Sequence, residues 1–421
     1  MKLRYGLEER PAMPQLLAYG LQWFVLAIAV VATSTFVATG SEAEKMFFAQ
    51  KMFAIVGITT VIQIFWGHRL PLVVGPAAVL LVGVITSLKA QAEVDAIYSS
   101  ILVGGALVAL LGACNALKYV VRLFTPRIII VILMLIAFTL TPTISNLIFT
   151  PAPADNNPQL FGLLFALFGT ASMVVANRLM TGVWKSIVIP LALIIGSGIY
   201  YTIYPTDMVV ESDYSKVSVL IGSFTFDPGL ILAFFFCYIA LLINDIGSME
   251  SLGAMLGADD MPSRCRRGIV ITGLMNMLSG AAGVLGPVNY SMSPGVIASS
   301  SCASRHTLLP AAIGLIVCAM SPHLIWILSH IPNPVIGSIL LYLMGTQLAA
   351  SFEMMHSTKS GSTFADAMTV SLPVMIALLF TTLPADVVPQ IIRPLVGNGF
   401  AMGVITVIIM EHVINRPQKK K

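Results

Sequence analysis

Long apolar runs recur along all 421 residues, separated by short polar or Gly/Pro-rich breaks, and no polar stretch is long enough to fold a water-soluble domain. A helix needs ~20 mainly apolar residues to cross a bilayer. Read against their breakers, the runs predict fourteen segments near 15–39, 44–65, 71–88, 97–117, 128–149, 159–177, 183–204, 229–256, 268–285, 287–301, 307–328, 332–350, 365–383 and 395–414. Barrel strands would alternate apolar and polar residues over ~10 positions, which these runs do not. The pattern predicts an all-α polytopic membrane protein. The first run is too long for a signal-peptide core and is read as a retained span.

Two segments differ from the rest. The third and the tenth each carry a Gly-Pro pair after a short β-branched stretch, at Gly75-Pro76 and Gly286-Pro287, 211 residues apart. Proline cannot continue the helical hydrogen-bond ladder, and glycine loosens it. Both segments are therefore expected to be broken, with a strand leading into a half-helix. Ser293-Pro294 reads as an N-cap followed by proline at the first helical position. The 211-residue offset also carries the eighth segment onto the first. The chain thus reads as two seven-span units, 1–204 and 229–414, joined by an outer loop at 205–228 and ended by a basic tail at 415–421. Seven is odd, so the second unit must be inverted in the membrane, an arrangement that places substrate between broken segments at the midplane.

Composition and charge sharpen this. Hydrophobic residues make up 57% of the chain and charged ones 10%, against roughly 25% charged in soluble domains, and mean hydropathy is +0.90. A soluble enzyme, a disordered chain and a disulfide scaffold are excluded. With the N-terminus placed inside, 18 of the 23 Lys and Arg fall on cytoplasmic loops and only Lys45, Lys51, Lys89, Lys216 and Arg393 fall outside, as the positive-inside rule requires. Both termini are expected in the cytoplasm. The five cysteines form no CxxC pair, and His68, His306, His356 and His412 near inner ends, with His323 and His330 near the outer face, form no ligand motif. No metal or other cofactor is expected, and no nucleic-acid partner.

Particular residues add a resemblance. The opening YGLEERP, Gln22, Ile246-Gly247, Gly-Pro-Val-Asn-Tyr at 286–290, Gly295-Val296-Ile297-Ala298, Ser304-Arg305 and Ile331 through Gly337 together resemble the nucleobase–ascorbate transporters (nucleobase:cation symporter-2), with bacterial uracil and xanthine permeases as relatives. The resemblance covers most of the chain. It implies a bacterial inner-membrane protein with a core domain from spans 1–4 and 8–11 and a gate domain from spans 5–7 and 12–14. It further implies symport with a proton, or with sodium as the alternative, and pairing of two copies through the gate domains. The signature motifs depart from the family pattern. The family's substrate-binding Glu of the eighth span falls on Asn244, with a following polar position on Ser248. The first-span Gln-His pair is Gln22-Trp23, and the third span has Ala77 and Ala78 where Ser and an aromatic residue are frequent. The tenth-span signature reads Met292, Ser293, Pro294, Gly295 and Ser300, with Tyr290 matching a frequent binding-site tyrosine.

The substrate-binding candidates are accordingly Gln22, Trp23, Ala77, Ala78, Asn244, Ser248, Asn289, Tyr290, Met292, Ser293 and Gly295. Charged residues inside spans are costly, which makes Asp245 and Glu250 the proton-coupling candidates. Asp245 points about 100° around the helix from Asn244. It faces either the cavity or its own domain. Trp23 either stacks on a planar ligand or packs. Two functional readings stand, a proton-coupled carrier of a planar nucleobase and a carrier of an anion or other small solute on the same fold. A channel or a membrane-embedded enzyme finds less support. No nucleophile–base pair, metal cluster or Walker-type loop is visible.

Overall fold

The computed structural model describes residues 3–32, 34–114, 125–149, 158–180, 188–205, 220–290, 293–382 and 393–415. Met292, the basic Lys2, Lys118, Arg122, Lys185, Lys216, Arg416 and Lys419–Lys421, and most of the 205–228 loop lie outside them.

The protein is mostly helical. In the first half, α1 (Met13–Ala32), α2 (Glu42–Phe65), strand β1 (Val74–Pro76) running into α3 (Ala78–Lys89), α4 (Val94–Ala113), α5 (Pro126–Ile148), α6 (Pro158–Leu179) and α7 (Val188–Ile203) follow one another. In the second come α8 (Pro228–Leu256), α9 (Met261–Ala281), strand β2 (Pro287–Asn289) followed by α10 (Ser293–Ser300), α11 (Leu308–Met320), α12 (Pro322–Ser329), α13 (Asn333–Ser357), α14 (Phe364–Thr381), α15 (Arg393–Val396) and α16 (Gly399–Ile409), which ends in a π turn. Local chemistry sets several of these ends. Ser41 and Glu44 form a reciprocal capping box at the start of α2, and Thr363 and Asp366 do the same for α14, each satisfying two orphan N–H groups. Asp227 accepts from the N–H groups of Gly229 and Leu230, with Pro228 at the first position of α8.

Among the described residues, eight helices are long and apolar enough to cross a membrane, and nine if one bent pair counts as a single span. The third segment's α3, α7 and the last helix are apolar but shorter. Helix α9 spans 21 residues, yet Arg264, Arg266 and Arg267 near its start keep it out of the apolar set. One expectation is corrected. The eleventh segment, read as one span over 307–328, is broken by 100° between α11 and α12. Ser321 caps α12 by accepting from Leu324 N–H, with Pro322 at its first position, so the earlier ladder cannot continue through.

The packing has a recurring order. The most extensive helix pair is α4 with α9, and α2 with α11 is the corresponding pair seven segments on. Likewise α1 packs on α11 and α4 on α8, while α13 packs on α6 and α14 on α5. The α4–α9 approach is close enough to bring backbones together: a methyl on Gly273 would lie 2.3 Å from Ala109 N, and one on Gly280 2.4 Å from Leu102 N. Small residues at helix interfaces are the usual device for such contact in membranes.

Ion pairs gather near segment ends. Glu8 meets Arg305 and Arg264, and Arg127 meets Asp366 and Glu411, all from segment ends read as inner. Glu42 meets Lys45 and His330, all from ends read as outer. The opening YGLEERP lies as a strap along the loop that follows α10: Arg4 N–H donates to Ser301, Ala303 N–H to Tyr5 and Arg305 N–H to Leu7.

Candidate functional site

The two broken segments meet. β1 and β2 pair antiparallel, with Val74 opposite Asn289, Gly75 opposite Val288 and Pro76 opposite Pro287. Proline donates no ladder bond, so the pair is closed just beyond, where Ala77 N–H donates to Gly286 O (2.9 Å) and Tyr290 N–H to Val73 O (2.8 Å). Side chains add two more ties. Tyr290 OH donates to Pro76 O at 2.6 Å, and Ser293 Oγ accepts from Val73 N–H at 3.0 Å while donating to Tyr290 O at 3.1 Å. Gly75 permits this crossing, because a methyl there would lie 2.7 Å from Val30 and 2.8 Å from the Tyr290 ring. Both strands are buried. Non-helical backbone at such depth is tolerated only inside protein or along a cavity.

Behind the strands lies a buried polar network around Asp245 of α8, which is fully inaccessible to solvent. Asp245 Oδ1 accepts from the backbone N–H (3.0 Å) and side-chain Nδ2 (2.7 Å) of Asn289, and Oδ2 accepts from Thr272 Oγ1 (2.8 Å). Thr272 in turn accepts from Gln63 Nε2 (3.1 Å), and Asn289 Oδ1 bonds His68 Nε2 (3.0 Å). No described cation pairs with Asp245. A bare buried carboxylate would be prohibitively costly; here three donors converge on it, each worth about 1.5–3 kcal/mol toward a charged acceptor. Close by, Tyr238 OH donates to Ile101 O and Asn276 Oδ1, while Asn276 Nδ2 donates to Thr272 O and Pro287 O. Helices α4, α8, α9 and strand β2 are thereby joined.

The sequence-derived candidates separate into committed and uncommitted groups. Asn289, Tyr290 and Ser293 are held by the bonds just described, so Ser293 joins the two segments where an N-cap was expected. Ser248 is buried and donates to the Asn244 carbonyl of its own helix (2.7 Å). Trp23 is buried, with Nε1 donating to Thr307 Oγ1 at 3.0 Å. Glu250 is exposed and accepts from Cys265 Sγ. Asp245 turns toward α9 and β2. Ala77 is buried, Ala78 half-buried, and Gly295 sits within α10.

Within the candidate set, three groups are uncommitted. Gln22 Nε2 is buried with no hydrogen-bond partner. The half-buried Asn244 has no bond to its side-chain amide, and Gly247, one turn on, faces open space. The start of α3 has no side-chain cap at Ala77, which leaves the N–H groups and the positive dipole end of that half-helix available. Sequence reasoning missed His68, Thr272 and Gln63. Their signal was weak, since each is a single polar residue whose partner lies far away in the chain.

Comparisons with known proteins agree with this geometry. A family model described as "Permease family", for xanthine and uracil permeases, matches residues 14–386. The chain is 25% identical to the xanthine permease XanP of Escherichia coli K12, covering 100% of this chain and 96% of that one. It is 24% identical to the uric acid permease PucK of Bacillus subtilis 168, covering 84% of each. Among solved structures, the transmembrane domain of the cyanobacterial bicarbonate transporter BicA superposes with a TM-score of 0.63 at 14% identity, over 86% of this chain and 96% of that one. Murine Solute Carrier 26 family member A9 gives 0.63 at 12% identity over 96% and 69%. At such identities these two establish the fold alone. A match over nearly the whole chain, apolar helices of membrane-crossing length and two broken segments paired with each other lead to one assignment: the chain is an integral membrane permease, not an enzyme, and belongs to the xanthine/uracil permease family, the nucleobase–ascorbate transporters.

Proposed function

We propose that this permease carries a nucleobase by proton symport, with Asp245 as the proton-linked group. The observation that carries this reading is a fully buried carboxylate, with no cation beside it among the described residues, holding strand β2 to α8 and α9 through three donors. Protonation turns one carboxyl oxygen from acceptor into donor: on Oδ2 the Thr272 hydroxyl can reverse and accept, whereas on Oδ1 the new hydrogen opposes the two Asn289 donors. The tie between α8 and the tenth segment then changes with the proton. Relatives named as xanthine, uric acid and nucleobase permeases support the substrate class. Asn244 can both donate and accept toward a ring edge. Gln22 Nε2 and the bare start of α3 offer further donors.

The architecture behind this reading has fourteen segments in two inverted repeats. It is supported by the packing order that recurs seven segments on and by the strand pair joining the third and tenth segments. The core domain (spans 1–4 and 8–11) alternates access against the gate domain (spans 5–7 and 12–14), with both termini in the cytoplasm, as the placement of Lys and Arg favours.

The test is uptake of radiolabelled xanthine, uric acid and uracil into proteoliposomes under an imposed proton gradient. Asp245→Asn is expected to lower gradient-driven accumulation by about tenfold or more, the equivalent of one lost charged hydrogen bond, while base exchange at equal pH persists. Undiminished accumulation removes Asp245 from the mechanism. A second reading, an anion carrier, is favoured by the uncapped N-terminus of α3, since such ends bind anions. Thermal stabilisation distinguishes the two. A bound ligand at a hundredfold excess over Kd adds about 2.7 kcal/mol, and stabilisation by small carboxylates or bicarbonate with none by bases favours the anion.

A further inference from the structure

Asp245 is reached by a line of hydrogen bonds whose direction is fixed from its far end. Leu70 N–H donates to His68 Nδ1 at 2.9 Å, so Nδ1 is the acceptor nitrogen and the ring hydrogen sits on Nε2. Nε2 lies 3.0 Å from Asn289 Oδ1 and therefore donates to it. With its oxygen engaged there, the Asn289 amide presents Nδ2 to Asp245 Oδ1 at 2.7 Å. His68 is fully buried, so no water competes for either nitrogen. Its loop is itself held: Arg264 Nη1 donates to the carbonyls of His68 (3.1 Å) and Arg69 (3.2 Å), and Arg69 takes the left-handed conformation at φ 56°. Glu8 of the N-terminal strap meets Arg264 and also Arg305, which donates to Ile64 O.

We propose that His68 is a positioning residue that sets the proton affinity of Asp245 by fixing which end of the Asn289 amide faces it. The inference rests on the proton-coupling reading of Asp245. With His68 Nε2–H in place, the amide can only donate, which favours the carboxylate. Without it, the amide is free to turn and present Oδ1, which favours the protonated carboxyl because that form has a hydrogen to give. The charged and titratable groups around this line are Arg264 and Cys265 on α9 and Glu250 on α8. Arg264 is fastened to backbone carbonyls and Cys265 to Glu250, so none of them replaces the missing donor.

The experiment is infrared titration of the purified full-length protein. It follows the carboxylic C=O band that disappears in Asp245→Asn. In His68→Leu that band is expected to persist to higher pH, its midpoint moving up by about one pH unit, a tenfold change in proton affinity comparable with one hydrogen bond to a charged group. His68→Gln, which can accept from Leu70 and donate to Asn289, is expected to restore the wild-type midpoint. If His68→Leu does not fold, His68→Asn, polar but too short to span both partners, is expected to show the same upward movement. An unchanged midpoint in a folded His68→Leu or His68→Asn protein overturns the inference while leaving Asp245 in place. Absence of any Asp245-dependent titrating band overturns the proton-coupling reading and this inference with it.

Discussion

The two broken segments share a design and differ in how their polar groups are used. Both run from a buried three-residue strand into a half-helix, and both place Gly-Pro at the break. The third is almost bare: Val74, Gly75, Pro76, Ala77 and Ala78 contribute backbone only, and the helix that follows is uncapped. The tenth is richly polar, yet Asn289, Tyr290 and Ser293 all bond to protein. Polar-looking residues on the tenth segment thus make the frame. The plain third segment, with Asn244 and Gln22, keeps the free groups. Polarity in a membrane segment marks a partner, and only the contacts show whether that partner is protein or ligand.

The sharpest way to break this comparison is to disturb the frame where it has no slack. A methyl on Gly286 would lie 1.7 Å from Asn276 Oδ1, which already bonds Tyr238 while its amide holds Pro287. Gly286→Ala must displace that network, and overpacking of a tight core costs about 1–3 kcal/mol, with an unsatisfied buried group adding about 1–3 more. We expect loss of monodisperse protein, checked by size-exclusion chromatography and thermal unfolding. Gly247→Ala is the control, because nothing lies within 4 Å of the added methyl. Its stability is expected to stay within about 0.5 kcal/mol of wild type, as for surface changes away from packed features. A destabilised Gly247→Ala protein would show that this face is packed.

Next in size are the ties between the segments. Ser293→Ala strands the Val73 N–H, and Thr272→Val removes one donor from Asp245 and leaves Gln63 Nε2 with Gly268 O alone. Each is expected to lower stability by about 1–3 kcal/mol, read from thermal or denaturant unfolding in detergent. Only Thr272→Val is expected also to raise the pH up to which gradient-driven uptake persists. One of the three donors that favour the carboxylate is gone, so the protonated form survives to higher pH. Equal pH profiles for the two variants would separate Asp245 from the coupling.

How much of this was legible in the sequence follows from the range of each signal. Some helix limits were, where local chemistry sets them: the run at 229–256 becomes α8 at Pro228–Leu256, started by Asp227 and Pro228, whereas the segment read at 268–285 becomes α9 at Met261–Ala281, because the arginines in its first turns hid its start from the apolar pattern. The breaks at Gly75-Pro76 and Gly286-Pro287 were legible from local chemistry too. Ser321-Pro322 carries a similar local mark, but the apolar residues on both sides hid it within one run. The pairing of β1 with β2 was beyond local reading, as it joins positions more than 200 residues apart. His68 was invisible because the atom that gives it meaning, Asn289 Oδ1, is 221 residues away. Met292, the first position of the tenth-span signature, lies outside the described residues.

The smallest expected change in stability is also the most informative about ligand. Asn244 is half-buried and its side-chain amide bonds to no described residue, so Asn244→Ala removes no intramolecular tie. Its unfolding midpoint should match wild type within about 0.5 kcal/mol. If the amide is reserved for a ring edge, the same substitution costs the complex a hydrogen bond and leaves the ligand's own polar group unpaired, about 1–3 kcal/mol, or roughly ten- to a hundredfold in affinity. Ser248→Ala, whose hydroxyl only returns to its own helix at the Asn244 carbonyl, should change affinity little. Equilibrium binding of xanthine, uric acid and uracil to the three proteins compares the two adjacent turns directly. Weakening by Asn244→Ala alone places the substrate on the uncommitted face of α8, while weakening by Ser248→Ala alone moves the site toward the face now occupied by the protein's own network.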